Sequence, residues 1–229
     1  MAKTKFNDKE IKDGMILLCN TAVDLCGKKF QKHKAVKKQG LERLFEEDFV
    51  KAAKMKDWKI KTQHNRADLG IIDKMRPKGW VDAIITHDDG FRVGVEFKIC
   101  ELPRMKWNDA NSSTYDVGQL AWDYKALSTY KMDSAYCVAV LHGALVEMPT
   151  ATPLGIMRMF HNALFTDFQV AKSWGWAKYK NQSAIGRREI ETISDMGLDK
   201  PFYRPKANPN NFCRLYKEQK LAVVGFSIR

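Results

Sequence analysis

Trp80-Val81-Asp82-Ala83-Ile84-Ile85-Thr86-His87-Asp88-Asp89-Gly90-Phe91-Arg92-Val93-Gly94-Val95-Glu96-Phe97-Lys98-Ile99-Cys100 decides how the chain is read. Two runs rich in β-branched and aromatic residues flank a polar Asp-Gly turn, which is the pattern of a β-hairpin. Glu96 and Lys98 are two apart, so both leave the same face of the second strand. A two-residue turn at Asp89-Gly90 would set Asp82 opposite Phe97. A three-residue loop, Asp88-Asp89-Gly90, sets His87 opposite Phe91 and Asp82 opposite Glu96. Such loops favour a left-handed last residue, and Gly90 suits that place. The odd-length loop is therefore expected, with Asp82, Glu96 and Lys98 in one cluster.

Two adjacent carboxylates repel, and a hard divalent cation relieves the repulsion. Mg²⁺ takes oxygen ligands, commonly one or two carboxylates with water and phosphate oxygens. A neighbouring lysine suits the orienting of water or the stabilising of charge on phosphorus.

At these residues the chain resembles the PD-(D/E)xK nuclease superfamily, in Asp82, thirteen intervening residues and then Glu96-Phe97-Lys98. Val81 stands where the motif's name has proline. The resemblance implies a restriction-endonuclease-like α/β fold, a mixed central sheet flanked by helices. It implies Mg²⁺ on Asp82, Glu96 and the Phe97 carbonyl, with Mn²⁺ able to substitute, and Lys98 serving the attacking water. A helix ahead of the core sheet often supplies a further acid in this superfamily, and Glu42 and Glu46 are the candidates here. A glutamine on the helix after E-x-K is also common. Gln119, with Tyr124 beyond it, is similar but has one residue more between the two than the commonest form. The resemblance covers roughly residues 41–142.

The tripeptide E-x-K alone is weak evidence. It occurs at Glu10-Ile11-Lys12, in a helical pattern, and at Glu218-Gln219-Lys220, in a polar turn, as well as at Glu96. Only the middle copy lies on an apolar strand that follows an Asp-bearing strand.

Net charge is +12 over 229 residues, which points to a polyanionic partner. No run of 18 apolar residues and no signal-like start are present, so neither a membrane span nor a membrane partner is expected. Five cysteines (19, 26, 100, 137 and 213), without a C-x-x-C, read as reduced thiols and point to the cytoplasm.

In order along the chain, residues 8–26 have helical periodicity, with Asn7 or Asp8 as cap and Gly27 as the end. Lys28, Lys29, Lys32, Lys34, Lys37 and Lys38 follow, either as phosphate contacts or as a solvated loop; 28–40 is the one linker-like stretch. Leu41–Met55 forms a second helix, in which Asp48 interrupts the apolar stripe. Trp58–Thr62 reads as the first core strand. The segment 63–79, basic through Arg66, Lys74, Arg76 and Lys78, reads as a loop beside the acidic cluster. Arg104 and Lys106 lie on the loop after the hairpin, ahead of a helix from Ser113 or Thr114 to Leu127. Ala135–Leu141 is a buried strand, parallel to 91–100 because a helix crosses between them. Leu154–Phe168 looks helical. Trp174, Trp176, Lys178, Lys180, Arg187 and Arg188 interleave rings with cations, which suits phosphate contact plus stacking. Phe212–Ser227 reads as a terminal hairpin.

The expected organisation is one domain over 1–229. It has an N-terminal helix and basic segment (1–40), a catalytic core (41–142) and a C-terminal extension (143–229) for DNA binding or dimerisation. The resemblance implies a Mg²⁺-dependent DNA endonuclease of restriction or phage type, leaving 5′-phosphate and 3′-hydroxyl ends. Cutting both strands requires two active sites, hence a homodimer. Two alternatives stay open: a nucleic-acid-binding protein on the same fold that does not cut, and a structure-specific nuclease acting on junctions or RNA.

Overall fold

The computed structural model describes residues 8–36, 40–71, 79–88, 90–101, 123, 126–129, 133–157 and 208–228. In chain order the elements are α1 (Asp8–Val36), α2 (Leu41–Met55), β1 (Lys59–Asn65), a short 3₁₀ turn (Ala67–Leu69), β2 (Trp80–Thr86), β3 (Arg92–Glu101), β4 (Ser134–His142), α3 (Ala144–Glu147), β5 (Phe212–Tyr216) and β6 (Leu221–Ser227). The protein is mixed α/β. Its six strands form one sheet in the order β1-β2-β3-β4-β6-β5, in which β3 and β4 run parallel and the other neighbours antiparallel.

The sheet is covered on both faces. Val93, Val95, Phe97 and Ile99 of β3 meet α1 and α2 through Met15, Phe30, Phe45 and Phe49. The Phe97 ring stands edge-on to Phe49 and Phe45, at 4.8 and 5.7 Å between centroids. On the other face Ile84, Cys137 and Ala139 pack with Ala126, Leu127, Val146 and Ile156. β4 is buried along its whole length, as its continuous apolar run requires of a central strand.

The hairpin adopts the odd-length register. Ala83 faces Val95 and Thr86 faces Arg92, His87 N–H donates to the Phe91 carbonyl, and Gly90 has φ of 87°. One step beyond Ala83–Val95, the same register sets Asp82 level with Glu96.

The first helix departs from expectation. α1 does not stop at Gly27 but runs on to Val36, so Lys28–Val36 is helix rather than loop. Phe30 explains this: it is fully buried and extends the stripe of Ala22 and Cys26 by one turn, and lysine is a good helix former. Gly27 serves close approach instead, since a Cβ there would fall 2.6 Å from Gln219 Cγ of the β5–β6 turn. Buried Asp48 is held by Lys29 at 3.3 Å and Lys51 at 3.0 Å. β1 runs to Asn65, three residues past its expected end, through Gln63 in a left-handed conformation.

The terminal hairpin lies within the main sheet. β6 pairs with β4 from Tyr136–Ser227 to Leu141–Ala222, and Phe212, Leu221 and Val223 join the α1–α2 core. All five cysteines are free thiols. Among the described residues no helix is long and apolar enough to cross a membrane.

Candidate acidic centre between α2, β2 and β3

Backbone pairing of β2 with β3 stops at Ala83–Val95, and side chains fill the opening beyond it. Asp82 Oδ2 accepts the Phe97 main-chain N–H at 2.7 Å, in the place of a ladder carbonyl. In an extended strand a residue's N–H and C=O leave on the same side, so the Phe97 carbonyl also faces this opening. The Asp82 and Glu96 carboxyl groups lie close enough for each to shift the other's titration. Lys98 Nζ reaches over to α2, 3.0 Å from Glu42 Oε2, and the same oxygen accepts Ile99 N–H at 3.3 Å. Glu46 lies one helical turn beyond Glu42, so both project toward this end of the sheet.

Arg66, which follows β1, completes the centre from the other side. It is fully buried, and its Nη2 lies 2.5 Å from Glu96 Oε1 and 2.9 Å from Asp123 Oδ1. Its Nε donates to the Trp80 carbonyl, its backbone N–H donates to Gly79, and its carbonyl accepts from Leu69 and Ile71. The guanidinium is thus fixed by its own backbone as well as by its ion pairs.

Five carboxyl groups (Glu42, Glu46, Asp82, Glu96 and Asp123) therefore share the centre with two cations, Arg66 and Lys98. The excess of negative charge shows in the titration of Glu96, Asp82 and Glu46. Burial, then Asp82 and Asp123, push the Glu96 carboxyl well up, with Arg66 opposing. Burial also raises Asp82, against the Phe97 N–H and Glu96. Glu46 is pushed up to about 7 by burial, Asp82 and Glu42. Buried acids that hold protons this strongly are suited to exchange them for a hard cation. Among the described residues no three acid, histidine or cysteine side chains are already drawn together as a ligand set. Glu96 is turned to Arg66 and Glu42 to Lys98, so a cation would have to replace those contacts.

Asp82, Glu96, Lys98, the Phe97 carbonyl, Glu42 and Glu46 are thus brought to one end of the sheet. Lys28, Lys29 and Lys32 are exposed on α1, with Lys29 committed to Asp48. Lys34 is part of the same helix. Gln119, Lys37, Lys38, Arg76, Lys78, Arg104, Lys106, Trp174, Trp176, Lys178, Lys180, Arg187 and Arg188 lie outside the described residues.

Sequence reading placed Arg66 only in a basic loop and gave Asp123 no role. An arginine just past a polar strand has no periodicity to mark it as buried, and its partners lie 30 and 57 residues away.

Family models, curated proteins and solved structures were each compared with the chain, and none matches it.

Proposed function

We propose that this chain is a Mg²⁺-dependent endonuclease acting on DNA, built on a restriction-endonuclease-like core. One observation carries the reading: Asp82 caps the Phe97 N–H at the point where β2 and β3 part, close enough to Glu96 for the two carboxyl groups to shift each other's titration, with Lys98 on the next outward position of β3. The nearby acids of α2 and the Phe97 carbonyl add the hard oxygen donors that a divalent cation prefers.

Asp82, Glu96 and the Phe97 carbonyl would hold the ion, with Glu46 or Glu42 as a further oxygen donor. When bound, the ion supplies Lewis acidity at the scissile phosphate. Lys98, released from Glu42, would orient the attacking water and offset charge gathering on the phosphoryl oxygens. Arg66 holds Glu96 in place from behind and limits how much negative charge the centre keeps. The exposed Trp80 indole would support a base or sugar beside the cut. The net charge of +12 would draw the polyanion to a centre that is itself acidic. Cutting both strands of a duplex would call for two copies of the chain.

A second reading, a nucleic-acid-binding protein on the same fold that does not cut, is favoured by one contact. Arg66 already neutralises part of Glu96 without any metal. Incubation of supercoiled plasmid and of branched DNA and RNA with the protein separates the readings. The nuclease reading expects cleavage in Mg²⁺, none in EDTA, and loss of cleavage in Lys98→Ala while binding persists. Binding without cleavage of any substrate in Mg²⁺ or Mn²⁺ would establish the second reading.

A further inference from the structure

A groove of about 590 Å³ opens on the same side of the sheet as Asp82 and Glu96, along β1 and the turn end of the hairpin. Its floor on that side is aliphatic, formed by Leu69 and Ile84, while Ile60 and Trp58 line it from around the β1 edge. Lys54, Lys59, Lys61 and Arg92 line it, and no carboxylate does. Lys59 is paired with exposed Asp88 at 2.9 Å, whereas Lys54, Lys61 and Arg92 have no acid partner among the described residues. His64 also lines the groove, and its buried Nε2 has no hydrogen-bond partner among the described residues. Burial and the charges of Lys61 and Arg92 hold this imidazole below its ordinary titration range. A neutral ring adds no charge to the lining, and the carboxylates beside it are Asp88, paired with Lys59, and Asp133, which accepts the Arg92 main-chain N–H.

Ile84 and Thr86 lie two and four residues along β2 from Asp82, about 7 and 13 Å at strand rise, and Arg92 stands across from Thr86. The groove therefore begins within one or two backbone phosphates of the acidic centre. Its chemistry is mixed, with an apolar floor and a cationic wall. A duplex keeps its bases paired inside and offers such a surface phosphates alone. An unpaired nucleotide offers both a base and a phosphate.

We propose that this groove seats an unpaired nucleotide of a nucleic-acid strand, with its phosphates against Lys61 and Arg92 and its base on Leu69 and Ile84. The proposal deepens the nuclease reading and rests on it for the direction of the strand, which would run from the groove to Asp82. It makes strands with frayed, flapped or single-stranded segments next to the cut the preferred substrates.

The test is fluorescence anisotropy in EDTA with a labelled oligodeoxynucleotide of about six residues, its blunt duplex, and unlabelled deoxynucleoside monophosphate as competitor. Expected results are tighter binding of the single strand than of the duplex, and weakening of about tenfold or more in the double variant Lys61→Ala, Arg92→Ala. Both side chains are exposed, so the variant keeps its core, which circular dichroism checks. Lys217→Ala, exposed on the β5–β6 turn at the opposite edge of the sheet, binds as the wild type does. Equal affinity for duplex and single strand, or no change in the double variant, overturns the proposal. So does displacement of the strand by equimolar mononucleotide, which would make the groove a small-molecule site. Because no metal is present, absence of cleavage elsewhere leaves this result intact, and failure here leaves the acidic centre standing.

Discussion

The Asp82 carboxylate accepts the Phe97 main-chain N–H at 2.7 Å where the β2–β3 ladder has ended. One side chain thus does two things: it satisfies a strand donor and holds the opening in which the acids gather. The two roles separate by substitution. Asp82→Asn keeps an acceptor for Phe97 and removes a buried charge, so urea denaturation should show stability equal to the wild type or higher. Asp82→Ala leaves the N–H without its partner and should lose about 1–3 kcal/mol.

Glu46 sets a pH dependence. Its carboxyl rises from an ordinary 4.5 to about 7, so the folded protein holds the proton more tightly than the unfolded chain. That contribution is full below about pH 4.5 and disappears as pH climbs through about 7. Glu46→Gln should flatten this part of the stability profile in thermal melts between about pH 5 and 8. The effect is small, because Glu46 is only half-buried and solvent screens it. A divalent cation competes for the same oxygens, so its stabilising effect should grow over the same interval.

Arg66 bridges Glu96 and Asp123, at 2.5 and 2.9 Å. Arg66→Met should cost about 3–5 kcal/mol, since it removes the buried cation that offsets two buried carboxyl groups. Glu96 would then titrate higher still, so the loss should be larger at about pH 8 than at about pH 5 in paired urea titrations. A loss that is small and independent of pH would mean that the pair is not buried in solution.

Gly225 of β6 tests the fold apart from the acids. It pairs with Phe212, whose ring occupies the space of the missing side chain; a Cβ there would fall 2.2 Å from Phe212 Cε1. Gly225→Ala should destabilise by about 1–3 kcal/mol in denaturant, with no effect on cation binding.

The parts legible in the sequence are those set by local pattern. Alternation and Gly90 fixed the hairpin register, periodicity marked α2 from Leu41 to Met55, and the apolar run of β4 marked a central strand. Gly27 misled, because a glycine inside a helix can serve a neighbour's approach as well as a helix end. Arg66 and Asp123 stayed hidden, because a buried ion pair between distant residues leaves no mark on either segment. Periodicity placed Glu42 and Glu46 on the edge of the α2 stripe, but only the packed structure shows Glu42 engaged by Lys98 and Glu46 left to hold its proton.

The central claim is that these carboxyl groups form a seat for a divalent cation. Titration with Mn²⁺, followed through the electron paramagnetic resonance signal of the free ion, tests it without reference to any substrate. The account predicts saturable uptake by the wild type that strengthens with pH and is lost in Asp82→Asn, a variant that stays folded. Equal Mn²⁺ uptake by Asp82→Asn and wild type, or none by either, would contradict it.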